Sequence, residues 1–296
     1  MITIERITCL VDFSDGSRRG LEHAASLARA YQAQLTVLHI YSVLNVEDLM
    51  PLSNAAAAGA SDPDVLRAEL AEFVRTVCGD MPVTLTLRRA AKVEGAVADT
   101  VDDLAPDLLV LGSHGLGWFE RLLMGSTSEP IVDRAACPVL IVPPHAPDAP
   151  ADGFERIVCG VDFSTASLAA ARYAVRFASS ASEVTLVHAI EIPPEVREKQ
   201  IVAAIDVDGV RAAAEASALT RLRSLDLGDE TVRCGIERRV VEGSASRQLL
   251  RLAAEQGADL IVLGSQRRSA LDRLVFGSHV HEVLRNAPCP VLTVHA

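Results

Sequence analysis

The sequence predicts an α/β protein built from two open doubly wound domains, each with a five-stranded parallel sheet covered by helices. Three observations carry that expectation: the chain repeats itself, its Val-, Ile- and Leu-rich runs are short and nearly continuous, and those runs alternate with longer segments of helical period. Ile7-Thr-Cys-Leu-Val-Asp12-Phe13-Ser14 returns as Ile157-Val-Cys-Gly-Val-Asp162-Phe163-Ser164, and Leu35-Thr-Val-Leu-His39 returns as Val184-Thr-Leu-Val-His188. Val93-Glu94-Gly95 is matched by Val241-Glu242-Gly243, Asp107-Leu-Leu-Val-Leu-Gly-Ser113 by Asp259-Leu-Ile-Val-Leu-Gly-Ser265, and Cys137-Pro-Val-Leu-Ile-Val142 by Cys289-Pro-Val-Leu-Thr-Val294. Matches in one order, at offsets of 148 to 152 residues, mean two copies of a whole domain and not a short solenoid repeat.

In the first copy, strands are expected over 6–11, 34–40, 83–90, 107–112 and 138–142, with helices over 17–31, 64–78, 94–104 and 127–135. Parallel strands joined by helices favour right-handed crossovers and an open sheet whose ligands bind beyond the carboxyl ends of the strands. Asp12, the segment after His39 and the glycines after Leu111 all fall at such ends. Between the copies, Pro143-Pro-His-Ala-Pro-Asp-Ala-Pro-Ala-Asp-Gly153 is too rich in proline and small residues for a regular core element. The expected domains are therefore 1–143 and 156–296, with 144–155 as linker.

A chain of 296 residues with 49% hydrophobic content can bury a sizeable core. Its net charge of -11 argues against a nucleic-acid surface. The first 150 residues hold 11 basic and 20 acidic side chains, so an anion bound there would be held by local amides and dipoles and not by the overall field. No run approaches the roughly 18 apolar residues of a membrane span, and the first residues do not read as a signal peptide, so a cytoplasmic protein is expected.

Gly112-Ser113-His114-Gly115, followed by Gly125-Ser126-Thr127, lies just after the strand that ends near Leu111. Glycines there let backbone amides approach an anion, and a helix starting at Ser126 would add its positive end. The plainer reading is that Ser126 and Glu129 form a capping box. Asp12 and Asp162 close the first strands; each either bonds local amides or contacts a ligand or its Mg²⁺.

These residues resemble the universal stress proteins, in tandem form, over nearly the whole chain. The nucleotide pattern of that family is glycine, two residues, glycine, nine residues, glycine, then Ser or Thr; Gly112, Gly115, Gly125 and Ser126 match it in full. The resemblance implies sheet order 3-2-1-4-5 and ATP as ligand, with Asp12 near the ribose or phosphates and the backbone at Ile40 beside the adenine; Thr127 completes with Ser126 a hydroxyl pair that suits a phosphate group. The second copy supplies Asp162, Ala189, Gly264, Gly277 and Ser278 at the corresponding positions, but Arg267 stands where the first copy has Gly115. Either the bulk of Arg267 spoils the glycine turn, or Arg267 or Arg268 contacts phosphate directly.

His39 and His188 sit inside apolar strands and read as hydrogen-bonded structural residues. His114 has no triad partner, and His279 and His281 diverge on a helix, so no catalytic residue and no metal site is assigned. The six cysteines form no Cys-x-x-Cys pair and are expected as buried free thiols. Segment 42–63 reads as a long loop, either a lid over the ligand or a surface insertion. The closing strands 138–142 and 290–294 are apolar and expected at sheet edges, where the family commonly dimerises; the resemblance implies an internal pseudo-dimer and leaves a homodimer of chains open.

There is no Walker-type Gly-Lys-Ser/Thr motif, which disfavours fast phosphotransfer. Three functions follow from these readings. They are an ATP-binding stress-response regulator or scaffold, a slow Mg²⁺-dependent ATP hydrolase using Asp12, and a scaffold for a non-nucleotide ligand or protein.

Overall fold

A computed structural model describes residues 2–41, 62–90, 93–112, 135–191, 207–228, 234–265 and 278–295. The chain divides into two units, one holding Thr3–Asp152 and the other beginning at Gly153. In the first, β1 (Arg6–Leu10), α1 (Asp15–Tyr31), β2 (Gln34–Tyr41), α2 (Pro63–Cys78), β3 (Val83–Arg89), α3 (Val93–Leu104), β4 (Leu108–Gly112) and β5 (Val139–Val142) follow one another. The strand order is β3-β2-β1-β4-β5 and every pairing is parallel. Ile7 faces both Leu35 and Leu108 in register, which makes β1 the central strand.

Burial explains the near-continuous apolar runs. Every residue of β4 and β5 is buried, as expected of strands in a parallel sheet, and α1 packs on both. The edge strand β3 is part-exposed and alternates Thr and Leu before ending in Arg88 and Arg89. Helix α1 turns Leu21, Ala24, Leu27 and Ala28 into the core. It starts two residues before the expected Ser17, because Ser14 caps it by accepting from the Ser17 amide, and it stops at Gln32 in a left-handed conformation. Helix α2 begins with Asp62 as cap and Pro63 in its first turn.

The second unit repeats this plan with β6 (Phe154–Gly160), α4 (Thr165–Phe177), β7 (Ala178–Ile190), α5 (Val207–Arg223), β8 (Gly235–Glu242), α6 (Ala245–Gln256), β9 (Leu260–Ser265), α7 (Ser278–Asn286) and β10 (Val291–His295). Its order is β8-β7-β6-β9-β10, again parallel throughout. Both units therefore have the doubly wound 3-2-1-4-5 plan.

The linker differs from its expected form. Strand β6 starts at Phe154, whose side chain is fully buried, so residues 154 and 155 belong to the sheet. The residues before it pack on α1 and are not a free tether. Ala146 is buried, Arg19 donates to its carbonyl at 2.8 Å and pairs with Asp148 at 2.9 Å, and the Ser26 hydroxyl donates to the Pro150 carbonyl.

Candidate functional site

In both units the first strand runs into the same Asp-Phe-Ser turn. Asp12 Oδ1 accepts from the Ser14 amide at 3.1 Å and from its hydroxyl at 2.5 Å; Asp162 Oδ1 does the same with Ser164 at 2.9 and 2.5 Å. The local-amide role expected of a carboxylate at a helix start is thus present. Burial pushes the Asp162 carboxyl up, but the bonds from the Ser164 hydroxyl, Ser167 and the Ser164 amide outweigh it and hold the group below its ordinary value.

Between each Asp and Ser stands a phenylalanine with φ of 64°, a backbone region uncommon for bulky residues. Phe13 packs against His39 at 4.7 Å between ring centres, and Phe163 against His188 at 4.6 Å. Each histidine lies 2.7 Å by Nδ1 from the carbonyl that ends the neighbouring strand, at Val11 and Val161. A carbonyl only accepts, so Nδ1 carries the proton in both rings. The structural role read for these strand histidines is what the geometry provides.

Gly112 is the last residue of β4 and Gly264 the last but one of β9. Neither adopts a positive φ, and at both positions glycine is required by close packing of backbone. A Cβ on Gly112 would sit 2.0 Å from the Gly16 carbonyl oxygen and 2.8 Å from the Ser17 amide; on Gly264 it would sit 2.3 Å from the Ser167 amide and 2.4 Å from the Ala166 carbonyl carbon. The start of α1 or α4 occupies the space. Glycine lets that helix end approach the strand end, on the side of the sheet where the chain order reverses.

In the second unit this approach borders a cavity of about 310 Å³. Its walls include Gly160 and Asp162 after β6, His188 and Ala189 near the end of β7, and Gly264 and Ser265 at the end of β9. The starts of three helices complete it: Ser164 and Ser167 at α4, Ala245 at α6, and His279 and Val280 at α7. Of the residues expected in a second site, Asp162, Ala189 and Gly264 are thus brought together. In the first unit Asp12, Ile40 and Gly112 stand at the equivalent strand ends. Gly115, Gly125, Ser126, Thr127, Arg267, Gly277 and most of segment 42–63 lie outside the described residues, as does the side chain of Ser278.

The universal stress protein family's sequence model matches residues 3–143 and again 153–295. The chain belongs to the universal stress protein family. Among universal stress proteins, one from Mycobacterium tuberculosis is 26% identical over 287 residues, covering 93% of this chain and 94% of the relative. Another from the same species is 32% identical over 195 residues, covering 63% of this chain and 61% of the relative. The crystal structure of a universal stress protein from Archaeoglobus fulgidus superposes with a TM-score of 0.61 at 16% identity, over 98% of this chain and 97% of that one, which supports the fold.

No group of three or more His, Cys, Asp or Glu able to hold a metal occurs among the described residues, and none of the described helices is long and apolar enough to cross a membrane. Sequence reasoning missed the Asp-Phe-Ser strain, for which a Phe gives no sign. It also treated His279 only with His281. In the structure His279 Nδ1 lies 3.1 Å from the hydroxyl of Ser246, which donates to Glu282 at 2.5 Å.

Proposed function

We propose that this universal stress protein binds ATP at the carboxyl ends of its central strands and acts in the cytoplasm as a nucleotide-responsive regulator or scaffold. The observation that carries this reading is the 310 Å³ cavity of the second unit, onto which three helix starts and the end of β9 converge at the topological switch. Helix starts present unpaired amides and positive partial charge, which suit phosphate oxygens in a chain of net charge -11. The apolar wall of Val187, Leu249, Leu263 and Val283 suits a flat base. The matching glycine pattern from Gly112 to Ser126 extends the same reading to the first unit.

The donor set fits a nucleotide better than a protein-held metal. Asp162 is a single carboxylate whose Oδ1 is engaged by Ser164, so Mg²⁺ would arrive on the phosphates, and its contribution when bound would be to neutralise their charge. Asp12, on which the slow-hydrolase reading rests, has Oδ1 tied into the same kind of turn, which leaves it fewer lone pairs with which to orient water.

Native mass spectrometry of the purified chain after ATP addition tests the proposal. One or two nucleotides per chain are expected, two if Arg267 leaves the second cavity competent. No bound nucleotide at millimolar ATP would refute the reading and favour the non-nucleotide scaffold.

A further inference from the structure

The cavity of the second unit is lined in part by residues that the first copy's sequence does not repeat. Gly160 stands at its floor where the first unit has Leu10, and a Cβ on Gly160 would come within 3.0 Å of Leu249 and Leu263. Ser246, His279 and Glu282 stand where the first copy has Ala98, Thr127 and Pro130. No counterpart of this polar group is encoded in the first copy.

Its protons can be counted. Ser246 is fully buried and has one hydrogen, which it donates to the Glu282 carboxylate. The hydroxyl of Ser244 lies 3.0 Å away and must then be a donor to Ser246, and so must His279 Nδ1 at 3.1 Å. His279 Nδ1 therefore carries a proton in either charge state. Its other nitrogen, on a ring that lines the cavity, accepts when the ring is neutral and donates when it is an imidazolium.

His279 is the second residue of α7, and Glu282 lies one turn on along the same helix. A ligand oxygen that accepts from the free ring nitrogen favours the charged ring over the neutral one. From other elements the cavity presents Asp162 and His188, while Arg247, Arg251 and Glu255 of α6 and Arg285 of α7 are exposed. His281 is on the same helix and half-buried.

We propose that His279, oriented by Ser246 and Glu282, is a ligand-selecting residue of the second cavity that donates to a phosphate-bearing ligand and takes up a proton as that ligand binds. This rests on the nucleotide reading above. It makes ligand binding in the second unit responsive to acidification through a position where the first copy's sequence has Thr127.

The test is calorimetric titration of the full chain with ATP in buffers of different ionisation heat, comparing wild type with His279→Gln, which keeps a hydrogen-bonding side chain but cannot become charged. The comparison cancels protonation of ATP itself. Wild type should take up a larger fraction of a proton per ATP at pH 7 than the variant, and should gain about tenfold more affinity between pH 8 and pH 6 than the variant gains, as for one charge-assisted hydrogen bond. Ring-nitrogen resonances of His279 should move on ATP addition, and Ser246→Ala should abolish the fixed Nδ1–H tautomer. ATP binding with equal proton uptake in both proteins would overturn the role of His279 and leave the nucleotide reading standing. No binding to wild type at either pH would overturn both.

Discussion

Substituting Gly112→Ala separates two reasons for a glycine at the end of β4. If the residue serves an anion, the variant should fold normally and lose ATP. The structure instead places a new Cβ 2.0 Å from the Gly16 carbonyl oxygen, 2.3 Å from its carbon and 2.8 Å from the Ser17 amide, all backbone atoms that cannot rotate aside. Ordinary contact begins near 3.4 Å, so the start of α1 must retreat by roughly 1 Å or more from the strand it covers. Overpacking of this kind costs typically 1–3 kcal/mol, and with only backbone in the way about 3 kcal/mol is the reasonable figure. For a domain of this size that lowers Tm by about 6–12 °C. Differential scanning calorimetry, with Gly264→Ala as the matching change in the second unit, would assign each transition, since two domains need not unfold in one step. A Tm within 2 °C of wild type, with ATP binding lost, would refute the packing account and restore the phosphate role.

Two further outcomes follow from buried titratable groups. Burial holds His23 and His39 of the first unit below the ordinary imidazole value, against the opposing pull of their bonds to the Arg19 and Val11 carbonyls. The unfolded chain then binds more protons, so stability should be full above about pH 6.5 and fall as pH drops through the folded-state values; urea midpoints at pH 7.5 and 5.5 measure this, His39→Asn should blunt it, and a flat profile counts against it. Burial also pushes the thiols of Cys159 and Cys289 up to about 12 and that of Cys9 higher still, whereas Cys234 is only half-buried. Timed alkylation with peptide mass analysis should label Cys234 first and Cys9, Cys159 and Cys289 only on unfolding; early labelling of Cys9 would contradict the core described for β1.

The architecture was legible because a parallel sheet buried on both faces imposes unbroken apolar strands, and Leu108 to Leu111 or Val139 to Val142 have no other good use. Repetition fixed the correspondence between units without any structure. Ends of elements were read to within two residues where a local signal existed, as at Pro63. The start of α1 lay two residues early because Ser14, and not Ser17, caps it, and the start of β6 was missed at Phe154, which looked like linker because proline and alanine precede it. Gly112 shows the limit of motif reading: a glycine in a phosphate pattern also satisfies a helix–strand contact, and only coordinates reveal which atoms occupy the missing Cβ. The Ser246–His279–Glu282 group was invisible because its members are 33 and 36 residues apart in the chain and meet only through helix packing.

The left-handed phenylalanine has a consequence for anyone seeking to stabilise this protein. Phe13 and Phe163 each sit where glycine is the conformationally cheaper residue, by of order 1 kcal/mol or more. A substitution chosen on backbone angles alone would put glycine at both positions. It would remove the ring that lies on His39 or His188 and, in the first unit, also meets Phe73 edge-on at 5.6 Å, and in the second lies 3.8 Å beneath the Arg221 guanidinium. Apolar burial and a cation–π contact together are worth about as much as the relief or more, so the expected return on the swap is nil or negative. The turn that carries Asp12 and Asp162 is thus held from the side by an aromatic wedge, and its shape depends on the rings and side chains packed around that phenylalanine as much as on the loop.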